Sequence, residues 1–150
     1  VGAELSEEAI KQLFNELGLT PQISKIGKLT LYQANNLTVF VGDIFHLTAE
    51  ILGEVSAIYD RAALVALPEA MRIKYAAHLK QITNMAPKLL VTFTYDQSLK
   101  NGPPFSITQL EVEKHYSSCY KIELLETINV KGGLKGNVEA KENVWVLNKN

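Results

Sequence analysis

A strand-like run that ends in two charged residues and passes at once into a helix is the feature that most constrains this fold. Residues 55–59 are mostly apolar, Asp60 and Arg61 follow them, and Pro68 stands where a proline favours the first turn of a helix. Strands that alternate with helices in this way predict an α/β protein with a mainly parallel sheet. Ligands of such sheets bind at the carboxyl ends of the strands, so Asp60 and Arg61 mark a candidate site.

Further strand and helix signals lie on both sides of this run. Strands are predicted at residues 29–32, 37–41, 54–59, 89–93, 121–127 and 143–147, and helices at residues 7–17, 48–52, 69–82 and 107–116. The connection between the last two strands contains no convincing helix, so these strands are expected to pair antiparallel. In the helix after Pro68, the spacing predicts that Ala70, Ile73, Ala77 and Ile82 lie close to one face. Arg72, Lys74 and Lys80 are expected among the residues that face solvent.

Composition excludes several classes of function. The 150 residues are enough for one domain with its own core, and 47% of them are hydrophobic. A net charge of −1 gives no reason to expect nucleic acid or an anionic membrane surface as a partner. No apolar run is long enough to span a membrane, and no signal peptide is recognisable at the start. The single cysteine, Cys119, fits a reducing compartment, so a cytoplasmic location is predicted.

Two acidic positions near the start of the chain are candidates for nucleotide recognition. Glu4 ends a short strand-like segment, where a carboxylate can accept hydrogen bonds from both ribose hydroxyls. The alternative for Glu4 is an ordinary surface glutamate beside a helix. Asp43 and Ile44 follow another strand and could read an adenine edge and pack on its ring, although Asp43 is equally typical of a turn.

Two later segments could contact a substrate. Arg61 could grip a carboxylate in bidentate geometry, or could form a rim salt bridge with Asp60 instead. Pro103 and Pro104 stiffen a loop that presents Phe105, which suits the wall of a pocket for a flat apolar molecule or a plain rigid connector. The three histidines have no metal-ligand spacing, so no metal site is expected.

Taken together, these segments resemble the thiopurine S-methyltransferase family, particularly its bacterial members. The matching segments are residues 1–6, 42–45, 59–68, 71–72 with Tyr75, 94–97 and 102–106. They occur in the family's order over nearly the whole chain, and the Asp-Arg run together with Gly-Pro-Pro-Phe is quite specific.

The resemblance implies a Rossmann-like class I methyltransferase fold that uses S-adenosyl-L-methionine. It implies that Glu4 binds the cofactor ribose and that Asp43 and Ile44 border the adenine. It places Arg61 beside both the cofactor and the acceptor, as the catalytic residue. The implied acceptor wall consists of Pro103, Pro104 and Phe105, together with Lys131, which stands where the family carries an arginine. The implied acceptor is a thiopurine-like thiol or a metalloid species.

The resemblance also implies that the N-terminal segment, the first strand and the glycine-rich loop of the family precede Val1. A sheet without its central first strand has two unpaired inner edges. We therefore expect either direct pairing of residues 1–4 with residues 55–59 or dimerisation through the exposed edges, although the full-length family is expected to be monomeric. A chain of this kind would have weak or no activity, and the alternative function is a non-catalytic Rossmann-like binding or assembly module.

Overall fold

The computed structural model describes all residues 1–150 and divides into two compact units. Each unit contains one four-stranded sheet. The unit Val1–Gly53 contains β1 (Gly2–Glu4), α1 (Glu7–Glu16), β2 (Gln22–Ile26), β3 (Leu29–Ala34), β4 (Leu37–Val41) and α2 (Ala49–Leu52). The unit Glu54–Asn150 contains β5 (Ile58–Arg61), α3 (Glu69–Ile82), β6 (Lys88–Tyr95), α4 (Gln109–Tyr116), β7 (Tyr120–Asn129) and β8 (Ala140–Lys149). A division into compact units does not decide how many domains fold independently, so one domain over residues 1–150 stays a prediction.

The first unit follows its local signals closely. Ser6 caps α1, since its hydroxyl accepts a hydrogen bond from the Ala9 amide at 3.2 Å. The apolar face of this helix buries Ile10 and Phe14 against the sheet residues Tyr32 and Val39. The strand order is β1-β4-β3-β2, and β1 pairs parallel with β4. Strand β2 was missed from the sequence because its residues are almost all exposed and show no apolar alternation.

The second unit has the strand order β5-β6-β8-β7, with β5 and β6 parallel and β8 antiparallel to both of its neighbours. The predicted antiparallel pairing of the last two strands is therefore confirmed. The core includes the fully buried Leu90, Ile107, Val112 and Leu147. A smaller cluster of Leu134, Val138 and Ala140, packed on Phe93, holds the connection between β7 and β8.

The expectation of a mainly parallel sheet is wrong for this structure, in which two of the six strand pairings are parallel. The α/β class itself is confirmed, but the sheets are mixed. The reason lies in the connections of the first unit. Strands β2, β3 and β4 are joined by two-residue turns at residues 27–28 and 35–36, which are too short for a parallel crossover and impose antiparallel hairpins.

The predicted re-closure of the sheet is also absent. Strand β1 pairs with β4 alone and β5 pairs with β6 alone, so each is the edge strand of its own sheet. These edges are 3 and 4 residues long, and such short edge strands are tolerated without a further partner. The strand predicted at residues 54–59 is observed as Ile58–Arg61, so Asp60 and Arg61 are its last residues.

The predicted faces of α3 are right for Ile82, which is buried, and for Lys74, which is exposed. They are wrong for Ala70, Ile73 and Ala77, which are exposed, and for Arg72, which is buried with 6% of its surface accessible. The helix also buries Tyr75, Ala76 and Leu79. The apolar spacing of this helix is ambiguous because small alanines occur all round it, and polar partners elsewhere in the second unit decide which face is buried.

Candidate active site

Arg61 stands at the carboxyl end of β5 with its side chain 56% exposed. Its Nη2 atom lies 3.4 Å from the Glu142 Oε2 atom on β8. The alternative of a rim salt bridge between Arg61 and Asp60 is wrong, because successive residues of a strand point to opposite faces of the sheet. Ala62 follows with a φ of +69°, a left-handed conformation that turns the chain sharply after the arginine.

Asp60 belongs to the core of the second unit rather than to an exposed rim. Its Oδ2 atom accepts hydrogen bonds from the Tyr75 hydroxyl at 3.1 Å and from the Lys88 ammonium at 3.3 Å. Lys88 also donates to the Tyr116 hydroxyl at 3.3 Å. Burial lowers the pKa of Lys88, an effect that the charge of Asp60 opposes. Burial and the same carboxylate raise the pKa values of Tyr75 and Tyr116.

This buried network anchors the strand that carries Arg61. The side chains of Asp60 and Lys88 are each 1% exposed, and Asp60 Oδ1 has no hydrogen-bond partner. Because the pair joins β5 to β6, it fixes the end of β5 from the side opposite to Arg61. The burial of Lys88 is not evident from the sequence, since a lysine at the start of an apolar strand is usually exposed to solvent.

A concave site of about 430 Å³ brings Arg61 and Lys131 together. Lys135 supplies a third cation, and Glu142 supplies one carboxylate. Phe93 and Leu134 add an apolar surface to the same lining. The arrangement combines excess positive charge with an apolar wall, which suits a flat molecule that carries an anionic group. Lys135 was not singled out from the sequence, although it lies only four positions beyond Lys131.

The loop of the two prolines is not part of this lining, but hydrogen bonds to its backbone hold it, one of them from the lining residue Lys135. Lys135 Nζ donates to the Pro103 carbonyl at 3.0 Å, and the Tyr95 hydroxyl donates to the Pro104 carbonyl at 2.7 Å. The Phe105 amide donates to the Val65 carbonyl at 2.6 Å. The loop is therefore held at its first proline, at its second proline and at its aromatic residue.

Gly102 allows this loop to fold back on itself. Its φ is +73°, and a Cβ atom at this position would lie 2.8 Å from Phe105 Cδ1. A side chain at residue 102 would therefore displace the aromatic ring, which explains the glycine before the two prolines. The ring of Phe105 is half-buried and has a fixed neighbour on this side.

The Phe105 ring also lies beneath the buried guanidinium of Arg72, whose Cζ atom is 5.5 Å from the ring centroid. Arg72 forms a two-pronged ion pair with Glu111 on α4, in which Nε contacts Oε1 and Nη2 lies 3.2 Å from Oε2. Its Nη1 atom donates to the Leu67 carbonyl at 2.8 Å. Arg72 is among the residues that carry the resemblance, but its burial was not predicted from the sequence, because its partner Glu111 lies 39 positions away.

A second cavity of about 700 Å³ lies near the ends of β6 and β8. Its lining includes the hydroxyl side chains of Thr94, Ser106 and Thr108. These hydroxyls are already engaged, because Thr94 accepts from Asn143, Ser106 accepts from the Tyr95 amide and Thr108 caps α4. The cavity was not anticipated from the sequence, and its hydroxyls serve the protein's own hydrogen bonds.

The first unit places Glu4 and Asp43 at one edge of its sheet. Because β1 and β4 are parallel, their carboxyl ends lie side by side, and the Gly42 amide donates to the Glu4 carbonyl at 2.8 Å. Glu4 Oε1 accepts from the Ser6 amide at 2.8 Å, which leaves Oε2 for a ligand. Asp43 Oδ1 accepts from the Phe45 amide at 3.0 Å and caps the 3-10 turn Ile44–His46, as the turn alternative predicts.

The hydrogen-bond acceptors at this edge match the donor groups of the cofactor that the resemblance implies. A ribose diol and an adenine amino group are hydrogen-bond donors, and the side chains of Glu4 and Asp43 are acceptors. Ile44 is half-buried beside Asp43 and offers an apolar surface. Both carboxylates keep a structural hydrogen bond within the chain, so their orientation is set before any ligand binds.

Comparison with known proteins decides the family. The sequence model of thiopurine S-methyltransferase matches residues 1–150. The chain belongs to the thiopurine S-methyltransferase family. It is 51% identical over 150 residues to the thiopurine S-methyltransferase of Teredinibacter turnerae, a match that covers 100% of this chain and 70% of that protein. It is 51% identical over 146 residues to the thiopurine S-methyltransferase of Xanthobacter autotrophicus, covering 97% of this chain and 68% of that protein.

A third relative, the thiopurine S-methyltransferase of Gluconobacter oxydans, is 49% identical over 144 residues, which is 96% of this chain and 66% of that protein. The resemblance stated from the residues is thus confirmed, and this is a family of S-adenosylmethionine-dependent methyltransferase enzymes. No helix of the structure is both long and apolar enough to cross a membrane. No group of three or more histidine, cysteine, aspartate or glutamate side chains is arranged to hold a metal ion.

Proposed function

We propose that this chain transfers a methyl group from S-adenosyl-L-methionine to an acceptor that carries a thiolate or another anionic group, such as a thiopurine or a metalloid oxyanion. The observation that carries the proposal is the cavity of about 430 Å³ in which Arg61, Lys131 and Lys135 surround a partly apolar lining. The relatives are named for thiopurine S-methylation, which supports an acceptor of this chemistry.

The reaction would be an in-line displacement. When bound, the cofactor supplies a methyl group on a positively charged sulfonium. The acceptor sulfur forms a bond to the methyl carbon while the bond from that carbon to the sulfonium sulfur breaks, and the bonding electron pair stays with the departing sulfur. Opposite charges are neutralised in this step, so an environment that excludes water and fixes the line of attack favours it.

The cations of the cavity would act on the acceptor before the transfer. Positive charge within about 4–6 Å favours the ionised form of an acid, so Arg61, Lys131 and Lys135 would lower the pKa of an acceptor thiol. Aromatic thiols are acidic enough to release the proton to water under this influence, and no side chain is needed as a strong base. Glu142 would hold the Arg61 guanidinium in place through their contact at 3.4 Å.

The first unit contains the side chains that would bind the cofactor. Glu4 would accept hydrogen bonds from the ribose hydroxyls, Asp43 would accept from the adenine amino group, and Ile44 would pack on the adenine ring. These roles match the hydrogen-bonding chemistry of the side chains. The expected weak activity of this chain, its location in the cytoplasm and dimerisation through its sheet edges remain predictions.

Calorimetric titration with S-adenosylhomocysteine and a labelled-methyl assay test the proposal together. We expect heat of binding that is lost in Glu4→Ala and Asp43→Ala, and methyl transfer to 6-mercaptopurine or selenite. Arg61→Ala and Lys131→Ala should each raise the acceptor KM about tenfold or more, because each removes a charge-assisted contact. Lys121→Ala, at an exposed position on β7, is the matched control and should leave the acceptor KM unchanged.

Each negative result has a separate meaning. Absence of heat at millimolar ligand contradicts the cofactor site. Heat without methyl transfer to any acceptor contradicts the enzymatic proposal and favours the non-catalytic binding module. Equal effects of Lys121→Ala and Lys131→Ala on the acceptor KM contradict the assignment of the cavity.

A further inference from the structure

Arg72 is a buried cation that joins three parts of the second unit. Its guanidinium contacts Glu111 on α4, the Leu67 carbonyl in the segment after β5, and the face of the Phe105 ring. The side chain lies on α3 and is 6% exposed as a residue. No other cation in the second unit bonds at once to a helix, a backbone carbonyl and an aromatic ring of the loop at residues 102–105.

The two-pronged ion pair between Arg72 and Glu111, here called the fork, can be formed only by an arginine. The two-pronged pairing uses Nε and Nη2, which fixes the plane of the guanidinium against the Glu111 carboxylate. Nη1 then points to the Leu67 carbonyl, at 2.8 Å. A lysine keeps the charge but has one point of attachment, so it cannot reproduce the fixed plane above the ring.

Phe105 is held on two sides as a result. The Arg72 guanidinium covers its face at 5.5 Å from the centroid, and Gly102 lies against its edge. The Phe105 amide is bonded to the Val65 carbonyl, two positions before Leu67. The segment that follows Arg61 and the loop that presents Phe105 are therefore tied to each other both by backbone and through Arg72.

We infer that Arg72 is a positioning residue for the acceptor, which acts by holding the Phe105 ring and the segment after Arg61 in register. The inference rests on the proposed function, because the loop that carries Phe105 is bonded through its Pro103 carbonyl to Lys135 of the proposed acceptor cavity. Because the guanidinium is buried, Arg72 does not contact the acceptor directly. It acts on the acceptor through the position of the Phe105 ring. Loss of the fork should weaken acceptor binding and leave binding of S-adenosylhomocysteine unchanged.

The test uses fluorine NMR on the full chain, labelled with fluorophenylalanine. The chain has five phenylalanines, and Phe105→Leu assigns the Phe105 signal by its disappearance. We expect 6-mercaptopurine to shift this signal in the unsubstituted chain, and Arg72→Gln to move the signal and raise the apparent Kd about tenfold. Arg72→Lys should recover part of the affinity, and Glu111→Gln should weaken binding in the same direction by breaking one prong of the fork.

Glu69→Gln is the matched control, because it removes an exposed ion pair with Lys114 that joins the same two helices, α3 and α4. It should leave the Phe105 signal and the Kd unchanged. A Phe105 signal that does not respond to 6-mercaptopurine overturns the inference, and so does an unchanged Kd in the Arg72 variants. A parallel loss of S-adenosylhomocysteine and 6-mercaptopurine binding in Arg72→Lys and Glu111→Gln shows general destabilisation and overturns it as well.

The binding readout separates this inference from the proposed function. Methyl transfer is not needed for the fluorine titration, so a chain that binds 6-mercaptopurine at Phe105 without methylating it contradicts the enzymatic proposal alone. A chain that methylates the acceptor while Arg72→Gln binds it normally contradicts the inference alone.

Discussion

At the scale of single residues, charge burial separates the two members of the Asp60–Arg61 pair. Adjacent residues in a strand face opposite sides, so one side chain entered the core and the other remained 56% exposed beside Glu142. The buried Asp60 is tolerated because Lys88 and Tyr75 contact one of its oxygens. The burial of Asp60 thus leaves the side chain of Arg61 on the exposed face of the strand, where a ligand can reach it.

Removing Lys88 alone should be severe. Lys88→Met leaves the Asp60 carboxylate buried without its counter-ion, and we expect a loss of about 3–5 kcal/mol in the free energy of unfolding. The double variant Asp60→Asn with Lys88→Met should be more stable than Lys88→Met, because no buried charge is left. Urea unfolding measures both. Lys114→Met, which breaks a surface pair, should change stability by less than about 1 kcal/mol. This account would be contradicted if the double variant lost as much free energy of unfolding as the single variants Asp60→Asn and Lys88→Met lose together.

At the scale of elements, the connection between β7 and β8 depends on one close approach of the backbone. Gly133 has a φ of +75°, and a Cβ atom there would lie 2.6 Å from the Val138 carbonyl oxygen. The Leu134 amide donates to the same carbonyl at 2.7 Å. This contact folds the connection over Phe93 and brings Lys131 and Lys135 to the cavity of Arg61.

Gly132 and Gly133 offer a matched comparison of strain and clash. Both have positive φ, but a Cβ atom at Gly132 meets nothing within 4 Å. Gly132→Ala should cost only the left-handed strain, about 1–2 kcal/mol. Gly133→Ala should cost more, because the opposing atom is backbone and cannot move aside. Urea unfolding and amide hydrogen exchange at Leu134 compare the two variants. Equal losses of stability in the two variants would show that the close approach of Gly133 to the Val138 carbonyl does not hold the connection.

At the scale of the whole molecule, three exposed carboxylates make stability depend on acid pH. The hydrogen bond from Tyr32 and the charge of Lys11 lower the pKa of Glu7. A hydrogen bond from Thr48 lowers the pKa of Glu50, and one from Ser98 lowers the pKa of Asp96. A lowered pKa in the folded state stabilises the fold above the unfolded pKa. That contribution is lost as the pH falls through the folded value.

The urea midpoint should therefore be lower at about pH 3 than at about pH 6. In the triple variant Glu7→Gln, Glu50→Gln and Asp96→Asn, the difference between the two midpoints should shrink. Glu16→Gln, at the end of α1, is the control and should keep the full difference. A triple variant with the same pH dependence as the unsubstituted chain would show that other groups govern acid unfolding.

Much of the local structure could be predicted from the sequence. The first helix, the helix after Pro68 and the antiparallel final pair depend on residues close in the chain, and short-range rules describe them well. The family could also be recognised, because its motifs are contiguous runs. Strand β2 could not be predicted, since its residues show no buried face.

The candidate site was only partly foreseeable for a physical reason. Arg61 could be named from its place at a strand end, and Lys131 from the resemblance to the family. The burial of Arg72 depends on Glu111, and the burial of Asp60 depends on Lys88, partners that are 39 and 28 positions away. The sequence by itself therefore determined most of the elements and the family. Only the tertiary structure decided which charges are buried as pairs and which remain free to meet a ligand, because that choice depends on long-range contacts that local spacing does not specify.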